Sequence, residues 1–186
     1  MRYFLFLTLF LLILACQNPA KEQEEVAVYY DVKGYVEGQM ELLAREQSTL
    51  TKAMRIGTDS ESKTTSTANW QRELALFLQA DINKPAYRLS YLIARPDSLT
   101  YEYTLQPGED LPVRYLRVEL DKSQGQPVYI EAKLLTENKL YQSEKQILLR
   151  SGEVAGKWQV QSYQVKGYQE LAMTDRKPFE ITAKIN

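Results

Sequence analysis

Histidine is absent from this chain of 186 residues, and cysteine occurs once, at position 16. Without histidine the chain has no base for a Ser-His-Asp or Cys-His device and no imidazole ligand for zinc, copper or iron. No stretch has the G-x-x-x-x-G-K or G-x-G-x-x-G spacing of a phosphate-binding loop. We therefore expect no cofactor and no metal site, which leaves carboxylate pairs and Lys or Ser nucleophiles as catalytic options.

The chain also lacks an excess of charge of either sign. The chain has 23 Lys and Arg against 24 Asp and Glu, a net charge of −1, and no visible basic patch. Nucleic acid is therefore not expected as a partner. Thirteen tyrosines are present. Tyrosine suits a pleated surface with its hydroxyl at the rim, and the functional alternative is an aromatic groove for a glycan or lipid tail.

Long apolar runs are missing except at the start of the chain. Residues 4–15 contain one hydroxyl, at Thr8, and follow the single positive charge of Arg2. The run is shorter than the roughly 20 residues that span a bilayer, but it has the length of a signal-peptide core. A buried helix is disfavoured because no domain precedes the run and a polar, proline-containing segment follows it.

The run ends in Ile13-Leu14-Ala15-Cys16, which resembles the bacterial lipobox. The resemblance implies a signal peptide over residues 1–15, cleavage after Ala15, and lipid on Cys16 that makes the membrane a partner. Gln17 rather than aspartate after the cysteine implies the outer membrane, on its periplasmic face or at the cell surface. The alternative is a plain secretory signal with an unrelated cysteine.

Composition divides the remainder of the chain into two parts. Residues 16–29 are polar and acidic, so we expect a tether that reaches roughly 20 Å as a coil. Residues 30–186 have the length of a single domain.

Two helices are predicted in the first part of this domain. Residues 31–49 place apolar side chains at three- and four-residue spacing after Asp31, a suitable N-cap. Residues 70–82 repeat this pattern after Asn69, and Trp70 is expected in the core rather than stacked on a sugar. Between them, 50–56 and 62–67 flank a turn and predict a hairpin whose second arm is an exposed edge.

From residue 87 onward the hydrophobic period changes to two, which predicts strands at 87–95, 99–106, 112–120, 127–136, 140–150, 157–167 and 178–185. The expected fold class is therefore α+β, with two N-terminal helices packed on a curled antiparallel sheet, a meander.

Two hairpin registers follow from the alternation and the turn residues. A loop at 96–98 would oppose Tyr91 to Tyr103 and Ile93 to Tyr101. A turn at 138–139 would oppose Ile130 to Ile147, Val128 to Leu149 and Lys133 to Glu144.

The segment 70–77, with 80–85 and Ser90-Tyr91, resembles uncharacterised lipoproteins of Bacteroidota. That resemblance implies the same envelope location and fold but no activity.

The function expected is a membrane-anchored, non-enzymatic module that binds an envelope protein or a small amphiphilic ligand. The alternatives are a glycan hydrolase using carboxylates such as Glu102, Glu119 or Glu131, and a structural subunit of an envelope complex. A deep apolar cavity would favour binding, a carboxylate pair in a cleft would favour hydrolysis, and a broad apolar patch would favour assembly.

Overall fold

The computed structural model describes residues 28–186, which form a nine-stranded antiparallel sheet with two short helices. The helices are α1 (Val32–Arg45) and α2 (Trp70–Leu74), and 3-10 helices follow at Ala75–Ala80 and Pro85–Tyr87. The strands are β1 (Leu50–Ile56), β2 (Asp59–Thr65), β3 (Tyr91–Ala94), β4 (Thr100–Leu105), β5 (Val113–Leu120), β6 (Pro127–Asn138), β7 (Tyr141–Val154), β8 (Lys157–Leu171) and β9 (Lys177–Ile185).

The strand order is β2-β1-β9-β8-β7-β6-β5-β4-β3, and every neighbouring pair is antiparallel. β3 to β9 therefore form a meander, and the β1–β2 hairpin is added beside β9. The predicted antiparallel sheet is confirmed. β2 is an exposed edge strand, as its polar sequence predicted.

The first helix begins where the sequence indicates and ends earlier. The Asp31 carboxylate accepts a hydrogen bond from the Gly34 N–H at 2.8 Å, which caps α1. The helix stops at Arg45 rather than near residue 49, because Gln47 has a left-handed φ of 52°. The Thr49 N–H then donates to the Asn186 carbonyl at 2.7 Å, which joins the chain to the sheet.

The second helix is mostly a 3-10 helix. Asn69 caps it as predicted, and Trp70 is 2% exposed, so this tryptophan belongs to the core. The α-helical turns end at Leu74, where a 3-10 helix continues the path. Leu74, Phe77 and Ala80 are all buried, and a helix with three residues per turn places this spacing of three on one line.

One face of the sheet packs with the helices to form the core, and four tyrosines belong to it: Tyr29, Tyr91, Tyr103 and Tyr163. The Tyr29 ring meets those of Tyr91 and Tyr103 edge to face, with centroids 5.6 and 5.4 Å away. Tyr29, the last residue of the predicted tether, is buried, so the folded part of the chain includes it. The predicted signal peptide, Cys16 and the tether up to residue 27 lie outside the described residues.

The predicted register between β3 and β4 is wrong by two residues, although the faces are right. Tyr91 lies opposite Leu105, and Ile93 opposite Tyr103. The loop is longer than predicted because Arg95 Nε donates to the Thr100 carbonyl at 3.0 Å, while the Asp97 carboxylate accepts from the Leu99 N–H at 2.7 Å. Residues 87–90 do not extend β3, since Pro85 begins a 3-10 helix there.

The predicted register between β6 and β7 is wrong by the same two residues. Ile130 lies opposite Leu149 rather than Ile147, and Lys133 lies opposite Gln146 rather than Glu144. The turn is centred on residues 139–140, because the Asn138 side chain accepts a hydrogen bond from the Leu140 N–H at 2.9 Å. A slip of two preserves the buried face, so this turn decides the register.

Candidate functional site

A groove lies on the inner face of the sheet, on the part of β1, β8 and β9 that the helices do not cover. Its volume is about 330 Å³. The lining is mainly apolar and consists of Met54, Ile56, Leu76, Val165, Phe179 and Ile181, with Lys145, Gln169 and Lys177. Ile56 is 50% exposed, so the groove is open to solvent at this strand.

Strand pairing explains why apolar side chains meet there. Met54 lies opposite Ile181, and Ile56 lies opposite Phe179, across β1 and β9. On the other side of β9, Ile181 lies opposite Val165 of β8. Directly paired residues have their Cβ atoms about 5 Å apart on one face of a sheet, so these side chains form a continuous apolar floor.

A second, polar cleft of about 560 Å³ adjoins the apolar groove, and Met54 lines both. It lies between the β1–β2 hairpin and α2. The charged residues of its lining are Lys52, Glu61, Lys63, Arg72 and Glu73. Among the ion pairs of residues 28–186, Lys52 is bound to Glu73, whereas Lys63 and Arg72 make none.

Two hydrogen bonds hold the Glu73 carboxylate in this cleft. It accepts hydrogen bonds from the Lys52 ammonium at 2.8 Å and from the Tyr163 hydroxyl at 2.7 Å. Burial acts to raise the pKa of Glu73, but these hydrogen bonds and the Lys52 charge outweigh burial and lower it. Burial, followed by the bond to the Glu73 carboxylate, raises the pKa of Tyr163 far above its ordinary value. The lowered pKa of Glu73 and the raised pKa of Tyr163 together favour a charged carboxylate facing a neutral hydroxyl.

The three carboxylates considered for glycan hydrolysis lie on the opposite, open face of the sheet. Glu102 and Glu119 each accept a hydrogen bond from Arg117, both at 2.7 Å. Glu131 lies opposite Arg117 in the strand pairing and accepts from the Tyr129 hydroxyl at 2.8 Å. Glu102 and Glu119 are therefore paired with the same cation, and the strand order brings all three carboxylates to neighbouring strands on this face.

Two further features bear on function. Within residues 28–186, no group of three or more Asp, Glu, His or Cys side chains is placed to hold a metal ion. No helix in the same part of the chain is both long enough and apolar enough to cross a membrane.

The sequence analysis does not predict the apolar groove, because the groove depends on pairing between residues near 54 and residues near 181. The one local indication of an apolar surface is that Met54 and Ile56 lie at the end of a mostly polar hairpin.

Comparison of this chain with protein-family models, with curated proteins and with solved structures found no match.

Proposed function

We propose that this protein is a lipoprotein of the bacterial outer membrane, anchored through Cys16, whose domain binds a small anionic amphiphile. The tail would occupy the apolar groove, and the head would lie in the polar cleft. The observation that carries the proposal is that Met54 lines both spaces. In this arrangement the two N-terminal helices are a fixed cover on the curled sheet, and the ligand enters beside them.

The apolar groove has the character that a tail requires. Its volume is at the lower end of the roughly 300–1,000 Å³ found for small-molecule sites. Burial of ten methylenes would contribute roughly 8 kcal/mol, and the cost of immobilising the ligand is several kcal/mol. The tail alone then supplies about 4 kcal/mol and the head contacts add to it, so we expect dissociation constants between about 10 µM and 1 mM.

The charge of the polar cleft favours an anionic head. Three cations and two carboxylates line it, and Lys52 and Glu73 already neutralise each other. Lys63 and Arg72 remain against Glu61, an excess of one positive charge. A carboxylate or phosphate head would complete this set with charge-assisted hydrogen bonds.

Titration of the full-length protein with an eleven-carbon dansyl fatty acid tests the proposal. Met54→Ser should weaken binding about tenfold, because the Met54 side chain, which is 38% exposed without ligand, would contribute about 1.5 kcal/mol when the tail covers it. Arg72→Gln should weaken it severalfold, and more at low salt than at high salt.

Ile93→Ser is the matched control. Ile93 is an exposed apolar residue on β3, the other edge of the sheet, and its loss should leave binding unchanged. Both variants keep the apolar N-terminal run, so any difference between them reports on the groove. Equal affinities in Met54→Ser and Ile93→Ser would refute the proposed site.

A further inference from the structure

Three hairpin turns meet at one end of the sheet, which we call the turn end. They are the β1–β2 turn at 57–58, the β6–β7 turn at 139–140 and the β8–β9 turn at 172–176. The Gly57 N–H donates to the Pro178 carbonyl at 3.1 Å, and the Ala172 N–H donates to the Leu140 carbonyl at 2.9 Å. These bonds hold the three turns side by side.

Large apolar side chains are exposed on or beside each of these turns. Ile56 is 50% exposed, Leu140 70% and Leu171 56%, and Met173 is fully exposed. Single exposed apolar residues are ordinary on a protein surface, but a cluster of them indicates a contact with something apolar. Met173 also has a left-handed φ of 68°, which holds this methionine in the turn between β8 and β9.

The charges beside these side chains are of both signs. The turns carry Lys139 and Arg176 against Asp175, and the adjoining strand ends add Lys177 with Asp59 and Glu170. Arg176 binds Glu170 at 2.6 Å and lies over the ring of Tyr168, 4.3 Å from its centroid. Apolar tips flanked by charges of both signs and an aromatic ring suit the interfacial layer of a phospholipid bilayer, whose headgroups also carry both signs.

The length of the chain outside the structure agrees with this occupant. Eleven residues separate Cys16 from Val28, and a chain of this length spans at most about 40 Å. If the lipid is on Cys16, the domain cannot leave the neighbourhood of the bilayer.

We propose that the turn end docks on a phospholipid bilayer, with Leu140, Leu171 and Met173 inserted among the headgroups. Ile56 belongs both to the turn end and to the apolar groove, so docking would place the groove beside the membrane. The inference goes beyond ligand binding and does not require it, since it rests on the turn residues and on the lipid anchor of the proposed function.

A dye at a single introduced cysteine tests this docking. The full-length chain with Cys16→Ser and Met173→Cys would carry an environment-sensitive dye and be mixed with phosphatidylcholine vesicles containing 30% phosphatidylglycerol. The control is Ala155→Cys, which lies in the β7–β8 turn at the opposite end and also has a positive φ, of 49°. Both proteins keep the same apolar N-terminal run.

We expect vesicles to increase emission at least twofold and shift it to the blue for the dye at position 173, and to leave the dye at 155 unchanged. Leu140→Ser with Leu171→Ser should remove at least half of the response. Equal responses at 173 and 155 would overturn the proposal. So would a response at 173 that needs no vesicles and grows with protein concentration, since it would indicate an interface between copies.

The two proposals fail separately. Met54→Ser should weaken fatty-acid binding about tenfold without changing the response at 173, whereas Leu140→Ser with Leu171→Ser should reduce that response and leave fatty-acid binding unchanged. A normal vesicle response in a protein that binds no fatty acid would refute the proposed ligand binding and would still support the proposed docking.

Discussion

Replacement of Tyr103 by alanine tests whether the helix-facing side of the sheet is a close-packed core. The Tyr103 side chain is 2% exposed, and its ring lies edge to face with Tyr29 and stacked with Tyr101, 6.3 Å between centroids. Its hydroxyl accepts a hydrogen bond from the Tyr30 N–H at 3.0 Å. The substitution therefore removes apolar contact, aromatic contact and one buried acceptor together.

The magnitude follows from these contacts. Truncation of a buried aromatic ring to alanine costs about 3–5 kcal/mol, and we expect about 4 kcal/mol for Tyr103→Ala. Tyr103→Phe keeps the ring but leaves the Tyr30 N–H without its acceptor, which costs about 1–3 kcal/mol. For a domain of this size each kcal/mol shifts Tm by about 2–4 °C, so the alanine variant should melt roughly 8–16 °C lower.

Thermal and urea unfolding followed by circular dichroism measure the effect. The matched control is Glu102→Ala, one residue away on the opposite face, where the side chain forms a partly exposed ion pair with Arg117. Such a pair is worth about 0–1 kcal/mol. Similar losses of stability for Tyr103→Ala and Glu102→Ala would refute the assignment of the two faces.

The polar cleft and two glycines give further expectations. Glu73→Gln should lower Tm at neutral pH: burial opposes ionisation of Glu73, but its two hydrogen-bond donors lower the pKa below 4.5. This stabilisation is complete above about pH 4.5 and is lost as pH falls through the folded-state pKa of Glu73. The Tm values of the wild type and Glu73→Gln should therefore converge in acid. Gly167→Ala should destabilise by about 1–3 kcal/mol, because its Cβ would lie 2.0 Å from the Glu144 carbonyl oxygen. Gly38→Ala, in α1 with no atom within 4 Å, should stabilise by about 0.5–1 kcal/mol, and chemical unfolding that ranks the two glycine variants the other way would contradict both expectations.

The buried and exposed faces of the strands could be predicted from the sequence, whereas the residues that lie opposite one another on neighbouring strands could not. A slip of one residue would turn the whole buried set of a strand toward solvent, so alternation alone assigned Tyr91 and Tyr103 to the same inner face. A slip of two keeps every side chain on its face. The choice between those registers then rests on side chains in the loops, such as Asp97 and Asn138, whose hydrogen bonds lengthen or shift the turn.

The apolar groove could not be predicted from the sequence for a different reason. Its floor depends on β1 pairing with β9, which joins Met54 to Ile181 across more than two thirds of the chain. Local periodicity carries no information about which distant edge a hairpin joins. The ion pair of Lys52 with Glu73 has the same origin, since the hairpin brings its lysine to α2 only in the folded sheet.

The open groove follows from a difference in length between the two layers of the fold. α1 has 14 residues and, at 1.5 Å per residue, is about 21 Å long. β7 and β8 have 14 and 15 residues and, at about 3.3 Å per residue, extend to roughly 46–50 Å. Neither α1 nor the shorter helical segments after Trp70 match that length, so apolar residues at the far end of β1, β8 and β9 lack a cover from the helices of residues 28–186. A bound amphiphile and an adjoining bilayer would together explain why Met54 and Ile56 are exposed apolar residues beside the exposed tips of Leu140 and Met173.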